Sequence, residues 1–579
     1  MRIIIRIVLM LFPLTVSAQN WEYAIRNQVE IITLFLQDLD ESFGFLSEAE
    51  QTDYVNRYRE NLYMHQSFCY SFADRFPELA DQAMDLALAT RGMILNSSID
   101  MRQTILSGGD TSAVRLLDEW TENKEKIARE YALPPDKRIR GLAALEKRNN
   151  LMEKDLYRMA RSMRTTGDLL SVRWTDIRSA LGEQETAVEY TNFRYYDGNR
   201  WTDSVIYVAI ILRKDMEHPQ LIRIGTEKEL QQLTGTVLNK SVESGMDELY
   251  GWPELDEDVA VYMGSHLLET FWKPLEEWIP EGDTVFYTAT GMMHQLNLDV
   301  IPIGSGRRLL DRNTFITCSS LSVVTQTPYG AGNIHNIIAF GGMQYDLSEQ
   351  EWNQATASFP QPGSFPGLSG SLKGSSTWTF LPGTFQEIQA ISKLESAVVH
   401  VVAYSGAEAV EEQIKALGPQ NPPDILHIAT HGFFIPPDHG EELDVMDRSG
   451  LLFSGANAAW SGKPAHGHED GILTSREAAN LFLPHTRLVV LSACETGLGE
   501  ASGYEGVYGL QRAFKAAGAD YLLMTLWTVP DVQTAYFMQY FYQSIADGNG
   551  IETAFQTART LVRKRYTNPY YWAGFVLLH

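Results

Sequence analysis

One histidine and one cysteine stand where two successive predicted strands end. The run 425–429 leads into Thr430-His431-Gly432, and the run 488–492 leads into Ala493-Cys494. Parallel strands deliver their carboxyl ends to one edge of a sheet, where reacting groups collect. A thiol has an ordinary pKa of about 8.5, so a neighbouring imidazole that favours the thiolate would make Cys494 a nucleophile.

Both residues also have a purely structural interpretation. A lone cysteine after an apolar strand is usually a buried small side chain, and a lone histidine before glycine is most often a turn residue. From spacing alone, both interpretations stay open. If chemistry occurs here, Gly432 leaves backbone N–H groups accessible, which together with the Cys494 amide can hold an oxyanion. With Cys69 and Cys318 the cysteines number three, which is no disulfide framework and indicates a free thiol.

The other histidines give weaker indications of chemistry. His427 and His431 lie four apart on one strand, about 13 Å from each other, which is too far to share a metal ion. His427 is flanked by apolar residues and is therefore predicted to be a core histidine. His466 and His468 are near enough to bind a metal, but a flexible acidic loop is the favoured interpretation. We therefore expect no metal. No phosphate-cradling glycine motif follows a strand, so we expect no nucleotide cofactor, and no nucleophile elbow is found at a strand-to-helix turn, so a serine hydrolase is not indicated.

The elements that must position these residues change in character along the chain. Residues 21–180 are predicted to be helical. Their apolar positions approximate helical spacing at Leu79, Ala83, Leu86 and Ile94. Pro134-Pro135 breaks the charged, Leu-containing stretch 113–165, and we find no convincing 34-residue repeat.

From about residue 184, apolar strands alternate with helical stretches, which predicts an α/β fold with a largely parallel sheet. The predicted strands are 187–190, 205–211, 284–288, 315–317, 337–340, 425–429, 488–492, 521–526 and 572–578. Helical stretches are predicted around 227–240 and 256–278. Residues 343–383, rich in Gly, Ser, Pro and Thr, are predicted to form the longest loop, and 433–475 is a long insertion between two strands.

Length and charge limit the class of protein. A chain of 579 residues is too long for one core and indicates two or three domains. Its composition, 44% hydrophobic and 21% charged, is that of a folded protein. A formal net charge of −26 repels phosphate backbones, so we expect no nucleic-acid partner, whereas basic peptide segments are favoured.

The first residues have the pattern of an export signal. Arg2 and Arg6 supply positive charge, residues 7–16 are apolar, and Val16-Ser17-Ala18 offers a cleavage site. A membrane anchor is the alternative, but the apolar run is only about half of the roughly 20 residues that a span requires. We therefore predict a cleaved signal over 1–18 and an exported protein, periplasmic or secreted, that is not an integral membrane protein after cleavage.

Several motifs resemble those of CHAT domains. His427-Ile428-Ala429-Thr430-His431-Gly432 resembles their histidine motif, and Leu491-Ser492-Ala493-Cys494-Glu495-Thr496-Gly497 resembles their cysteine motif. The further matching positions are 471–474, Glu477, 505–510, Ala513-Phe514, Gly518-Ala519, Leu526-Trp527, Asp531 and 569–573. The resemblance covers about 170–579, and more weakly the helices from about residue 80.

CHAT domains are related to caspases and separase, so the resemblance implies a caspase-like three-layer fold with a His431/Cys494 dyad and Gly432 in the oxyanion region. It also implies that an inactive α/β half precedes the active half. The expected division is a signal at 1–18, a helical region at 19–180, a pseudo-caspase-like half at 181–334 and an active half at 335–579. In separase an acidic residue lines the pocket for a basic P1 side chain, and Asp531 occupies the matching place. The alternative for Asp531 is an N-cap of the following helix.

The resemblance implies an exported cysteine endopeptidase that cleaves protein or peptide substrates, with Arg or Lys expected at P1. The helical region would pack against the peptidase or bind a regulatory protein partner. Many relatives carry tandem helical repeats or are intracellular, and this chain departs from both patterns. A catalytically latent CHAT protein that acts as an interaction and signalling module is the alternative function, and a non-proteolytic thiol transferase is a third.

Overall fold

The computed structural model describes residues 18–132, 138–163, 172–238, 249–250, 265–326, 334–359, 377–395, 399–418, 422–435, 445–463, 469–493, 500–502 and 506–579. The predicted signal at 1–18 lies outside these ranges except for its last residue. Cys494, Pro134-Pro135, His466 and His468 also lie outside them. Within the described ranges, no helix is long and apolar enough to cross a membrane.

The described part of the N-terminal region contains seven helices, and its predicted helical character is confirmed. They are α1 (Ala18–Phe43), α2 (Glu48–Phe72), α3 (Glu78–Thr90), α4 (Met93–Ser107), α5 (Thr111–Ala132), α6 (Leu142–Met163) and α7 (Trp174–Ala180). Ser47 and Glu50 form a capping box at the start of α2, which satisfies two unpaired helix-end donors. Gly92 adopts a left-handed conformation (φ 57°) between α3 and α4, so the apolar spacing from Leu79 to Ile94 covers two helices and not one.

The rest of the chain is an α/β structure. Its strands are β1 (Glu185–Tyr196), β2 (Trp201–Arg213), β3 (Gln220–Thr226), β4 (Thr284–Thr288), β5 (Pro302–Gly304), β6 (Arg307–Arg308), β7 (Thr314–Cys318), β8 (Asn336–Met343), β9 (His400–Gly406), β10 (Ile425–Ala429), β11 (Gly432–Phe434), β12 (Ser449–Leu452), β13 (Ile472–Thr474), β14 (Leu488–Ser492), β15 (Glu500–Ser502), β16 (Gly506–Tyr508), β17 (Tyr521–Thr525) and β18 (Phe575–Leu578). The helices are α8 (Glu227–Leu238), α9 (Glu349–Ala355), α10 (Pro382–Ser392), α11 (Glu411–Lys415), α12 (Ala456–Trp460), α13 (Ser475–Ala478), α14 (Leu510–Ala517), α15 (Asp531–Ala546) and α16 (Ile551–Arg565). The short helical segments of other types are a π-helix at Leu268–Trp272 and 3-10 helices at Gly291–Gln295, Leu298–Val300, Leu309–Asp311, Leu321–Thr325 and Pro569–Tyr571.

One 11-stranded sheet runs through the α/β structure in the order β3-β2-β1-β4-β7-β18-β17-β14-β10-β8-β9. Seven of its ten strand pairs are parallel, and the antiparallel pairs are β3-β2, β2-β1 and β18-β17. The largely parallel sheet of the sequence analysis is thus confirmed. Because β18 is antiparallel to β17, strands β1, β4 and β7 run opposite to β8, β9, β10 and β14. Strands from both sides of residue 335 share one sheet, and the division into domains stays a prediction.

The strands that end at the predicted site are buried on both faces. Ile425 and Val490 contribute to one apolar core, whereas Leu426 and Leu491 contribute to the core on the other face. Continuous apolar runs of this kind are typical of parallel strands covered by helices on both sides. The packing fixes the register of β10 and β14, because a slip of one residue would exchange the residues of the two cores.

Ion pairs in which at least one side chain is buried hold the helical region against the α/β structure. Arg91, which follows α3, donates from Nε to the carboxylate of Glu189 on β1 at 2.9 Å, and both side chains are buried. Arg512 of α14 pairs with Glu48 at the start of α2 at 3.3 Å. A buried charge is tolerated only while its partner is in place, so these pairs fix how the helices dock.

A buried ion cluster lies around Lys415 at the end of α11. Its Nζ lies 2.7 Å from Glu411, 2.9 Å from Glu469 and 2.9 Å from Glu477. The oxygens of the three acidic side chains lie within 4.8 Å of one another, as metal ligands would, but the lysine ammonium contacts all three. Burial acts to lower the pKa of Lys415, yet the three carboxylates raise it well above its ordinary value. Arg129 of α5 also pairs with Glu469, which connects the helical region to the cluster.

Regular structure lies within the segment predicted as the longest loop and also within the long insertion. The sequence predicts the longest loop at 343–383, whereas α9 lies inside this stretch and α10 begins at its end. α9 forms because Ser348 and Glu351 make a capping box at its N-terminus. The insertion 433–475 contributes β12 and β13, which form a separate three-stranded sheet with β11.

We predict that Lys415→Met lowers the free energy of unfolding by about 3–5 kcal/mol, because Glu411 and Glu477 lose the cation they share and Glu469 keeps only Arg129. Urea unfolding followed by circular dichroism measures the change. The control is Arg158→Met, which removes an exposed partner of Asp155 and should change stability by less than about 1 kcal/mol. Equal, small effects of the two substitutions would contradict the role of the cluster.

Candidate functional site

The ends of β10 and β14 meet at one edge of the sheet. The two strands are parallel neighbours, with Ala429 opposite Ser492. Thr430 N–H donates to the carbonyl of Ser492 at 3.2 Å and so continues the pairing by one residue. His431 therefore lies at the sheet edge where β14 also ends. In the sequence, Cys494 follows Ser492 by two positions.

Cys494 itself lies outside the described residues. Its pairing with His431 and the oxyanion role of its amide therefore stay predictions. Ala493 is the last described residue before it; this alanine is buried, and its carbonyl accepts a hydrogen bond from Thr525 Oγ1 at 3.1 Å. Defined contacts with β17 thus hold the chain up to the residue that precedes Cys494.

Three groups surround the imidazole of His431. Its Nε2 lies 2.9 Å from the carbonyl oxygen of Thr379, and because a carbonyl oxygen only accepts, Nε2 carries a hydrogen. The rings of Trp378 and Tyr345 lie 4.9 and 5.2 Å from the imidazole, centroid to centroid. With Nε2 donating, Nδ1 of the neutral imidazole is an acceptor, which is the state that a general base requires.

The surroundings of His431 also set its charge. Burial lowers the pKa of His431 below its ordinary value, while the hydrogen bond to Thr379 and the negative charge of Asp531 oppose this in part. Since the ordinary pKa is about 6.5, the imidazole is mostly neutral at pH 7. A neutral imidazole can accept the proton of a thiol.

Asp531 lies at the start of α15, close enough for its charge to act on His431. Pro530 is the N-cap of α15 and Asp531 is the first helical residue, so the N-cap alternative for Asp531 is wrong. A Cβ at Gly383 would come within 2.9 Å of the Asp531 Cβ, so glycine allows α10 and α15 to approach closely here. The role of Asp531 in a P1 pocket stays a prediction.

Gly432 and His427, which lie on β11 and β10, occupy different environments. Gly432 begins β11, where it pairs with Leu451, and its part in the oxyanion region stays a prediction. His427 is fully buried in the middle of β10, as the sequence predicts. Its Nδ1 lies 3.0 Å from Tyr542 Oη, and its Nε2 lies 3.3 Å from the carboxylate of Glu387. His427 is therefore part of a buried polar contact and not of the sheet edge.

The other two cysteines are buried and have no disulfide partner. Burial raises the pKa of Cys318 to about 12 and raises that of Cys69 well above its ordinary value. Neither thiol is therefore suited to act as a nucleophile at neutral pH. They serve as internal references for the reactivity of Cys494.

Sequence analysis missed the residues that orient His431. Thr379 contributes a backbone carbonyl, which any residue type could provide, and it lies 52 positions before the histidine. Tyr345 lies just beyond β8, and its hydroxyl accepts from the N–H of His431 at 3.3 Å. An isolated tryptophan at 378, at the end of a Gly- and Ser-rich stretch, was the one visible signal.

A comparison with known protein families identifies the family of this chain. The model of the CHAT domain matches residues 262–579, which is more than half of the chain. The chain belongs to the CHAT domain family. The predicted resemblance to CHAT domains is thus confirmed at the level of the family.

Curated relatives match a short part of this CHAT protein. Human tetratricopeptide repeat protein 28 is 36% identical over 109 residues, which is 18% of this chain and 4% of the human protein. The mouse protein of the same name is 35% identical over 109 residues, again 18% and 4%. The matched segment thus spans only a small fraction of those relatives.

Solved structures resemble this CHAT protein more distantly. The Saccharomyces cerevisiae separase-securin complex has a TM-score of 0.38 and 11% identity, covering 88% of this chain and 37% of that one. The Arg-specific cysteine proteinase gingipain R has a TM-score of 0.32 and 8% identity, covering 55% and 66%. TM-scores this low carry no argument about function.

We predict that Asp531→Asn lowers the pKa of His431 further, because the substitution removes the negative charge that favours the imidazolium. A pH titration of the histidine ring protons by NMR, assigned with His431→Gln, measures the shift. The control is Asp547→Asn at the other end of α15, which should leave the titration unchanged. An unchanged or raised pKa in Asp531→Asn would show that this carboxylate does not act on His431.

Proposed function

We propose that this protein is a cysteine endopeptidase in which His431 and Cys494 form the catalytic pair. The observation that carries the proposal is the parallel register of β10 and β14, with Ala429 opposite Ser492. That register brings the residues after both strands to one sheet edge. Membership of the CHAT family supports the same activity.

The mechanism follows from the tautomer of His431. Nδ1 accepts the thiol proton, and the thiolate of Cys494 attacks the peptide carbonyl to form a tetrahedral intermediate. The N–H groups of Gly432 and Cys494 hold its oxyanion. The imidazolium then protonates the leaving amine, and water hydrolyses the thioester to release the acid and restore the thiol.

We propose that Asp531 selects a basic P1 side chain. Its charge acts on His431, which supports a position beside the reacting groups. A carboxylate at the floor of a substrate pocket is costly to desolvate unless a cation accompanies it, so Arg or Lys at P1 is the physical expectation. The net charge of −26 would also attract basic segments.

We also propose that the protein is exported, to the periplasm or outside the cell, because of the pattern of charged and apolar residues in 1–18.

We further propose that the helical region binds a regulatory protein. Phe45, Ile139 and Leu151 support this, because they are large apolar side chains exposed on that region.

We predict that Cys494→Ala abolishes proteolysis and leaves the fold intact. Digestion of a peptide library by the native protein and by Cys494→Ala, read by mass spectrometry, tests the reaction. Circular dichroism and the midpoint of urea unfolding check that the two proteins are equally folded. Equal digestion by both would exclude the mechanism, and no digestion by either would favour an interaction module.

We predict that the cleaved bonds follow Arg or Lys, and that Asp531→Ala loses this preference. The loss should exceed about tenfold in kcat/KM for a basic P1 peptide, since the substitution removes the carboxylate that is proposed to pair with the P1 cation. Asp547→Ala, which removes a carboxylate from the far end of α15, is the matched control. A preference of the native protein for apolar P1 residues would defeat the assignment.

A further inference from the structure

A groove of about 230 Å³ runs between α10 and α15. It begins at Val532, next to Asp531, and extends along both helices to Tyr542 and Ile391. Ten helical residues separate Val532 from Tyr542, so the groove is about 15 Å long. An extended peptide rises about 3.3 Å per residue, so four or five residues fit along it.

The end of the groove near the candidate site is apolar and exposed. Val532 is 58% exposed, Phe380 is 52% exposed and Phe385 is 39% exposed. Of the three, Val532 lines the groove, whereas Phe380 follows Thr379, whose carbonyl accepts from His431, and Phe385 lies on α10 outside the lining. Exposed apolar side chains that cluster beside a site indicate a surface that binds apolar groups.

The floor of the groove carries a buried carboxylate. Glu387 lines the groove and is 4% exposed, and its carboxylate lies 3.3 Å from Nε2 of His427. Glu387 lies one helical turn below Gly383, the residue that contacts Asp531. This step is about 6 Å, or about two residues of an extended peptide.

The dimensions of the groove favour an extended peptide over a small molecule as its ligand. Pockets for small molecules and cofactors usually measure about 300–1,000 Å³, so this groove is small for such a ligand. Its length suits an extended chain, and its open end is continuous with the candidate site. Its one carboxylate, in a protein with a net charge of −26, favours a basic side chain over an acidic one.

We propose that the groove between α10 and α15 binds the segment of the substrate that flanks the scissile bond. This segment carries an apolar residue that packs on Val532, which lines the groove next to Asp531. A Lys or Arg two to four residues further along pairs with Glu387. The proposal rests on the proposed peptidase function, and it extends substrate recognition beyond the P1 residue.

Three fluorogenic peptides with Arg at P1 test the groove. One is a tetrapeptide, and the other two extend it by five residues toward either end, with Leu nearest the scissile bond and Lys further along. We expect one of the two extensions to lower KM about tenfold with kcat nearly unchanged, because flanking contacts are made equally in the ground and transition states. No gain from either extension would overturn the proposal.

Substitutions in the groove identify where the gain arises. Ala535→Trp fills the groove from a half-buried position and should raise KM for the favoured peptide about tenfold. Glu387→Gln should remove the preference for Lys over Ala in the extension. Gln543→Trp adds the same side chain at an exposed position of α15 outside the groove and should leave KM unchanged. If the extension still lowers KM in Ala535→Trp, the flanking segment binds elsewhere on the protein.

The failure of this proposal is distinguishable from failure of the peptidase function. If no peptide is cleaved, the peptidase proposal fails, and fluorescence anisotropy of the labelled extended peptides on Cys494→Ala still measures binding. Binding that Ala535→Trp weakens would support the groove on its own. If the tetrapeptide is cleaved but the extensions bring no gain, the peptidase stands and the groove proposal is wrong.

Discussion

The parallel pairing of β10 with β14 is the constraint on which the rest of the site depends. Both strands are buried between two apolar cores, so the register that sets Ala429 opposite Ser492 cannot slip without exchanging those cores. Strands in a sheet lie about 4.8 Å apart, so the residues directly after them are neighbours. β17, which pairs with β14 on the other side, ends at the same edge and leads to Asp531.

A second set of contacts gives the histidine its chemical state. The carbonyl of Thr379 fixes the tautomer of His431, and burial among Trp378 and Tyr345 keeps the imidazole mostly neutral. Thr379 lies just before α10, and Asp531 begins α15. The N-terminal ends of α10 and α15 therefore lie at the site, and the following turns of both helices line the groove. The proposed catalytic pair and the proposed groove for flanking residues thus share one structural support.

The sequence predicted the elements better than their long-range contacts. Apolar runs such as 425–429 and 488–492 identify strands because they are buried on both faces, and the motifs around them identify the family. The central place of β18 is set by pairing between residues distant in sequence, which periodicity does not reveal. The acceptor of His431 is a backbone carbonyl, so no residue type marks it. The segment 343–383 was predicted to be a loop because of its Gly and Pro content. Helix α9 forms within it because a capping box stabilises its N-terminus.

The rate at which Cys494 is alkylated tests the dyad most directly. Iodoacetamide is added to the native protein and to His431→Gln at pH 7, and peptide mapping follows Cys494 with buried Cys69 and Cys318 as internal references. The account predicts that Cys494 reacts much faster than both references, and that His431→Gln slows Cys494 alone. Alkylation of Cys494 that is no faster than that of Cys69, or that is unchanged in His431→Gln, would contradict the account.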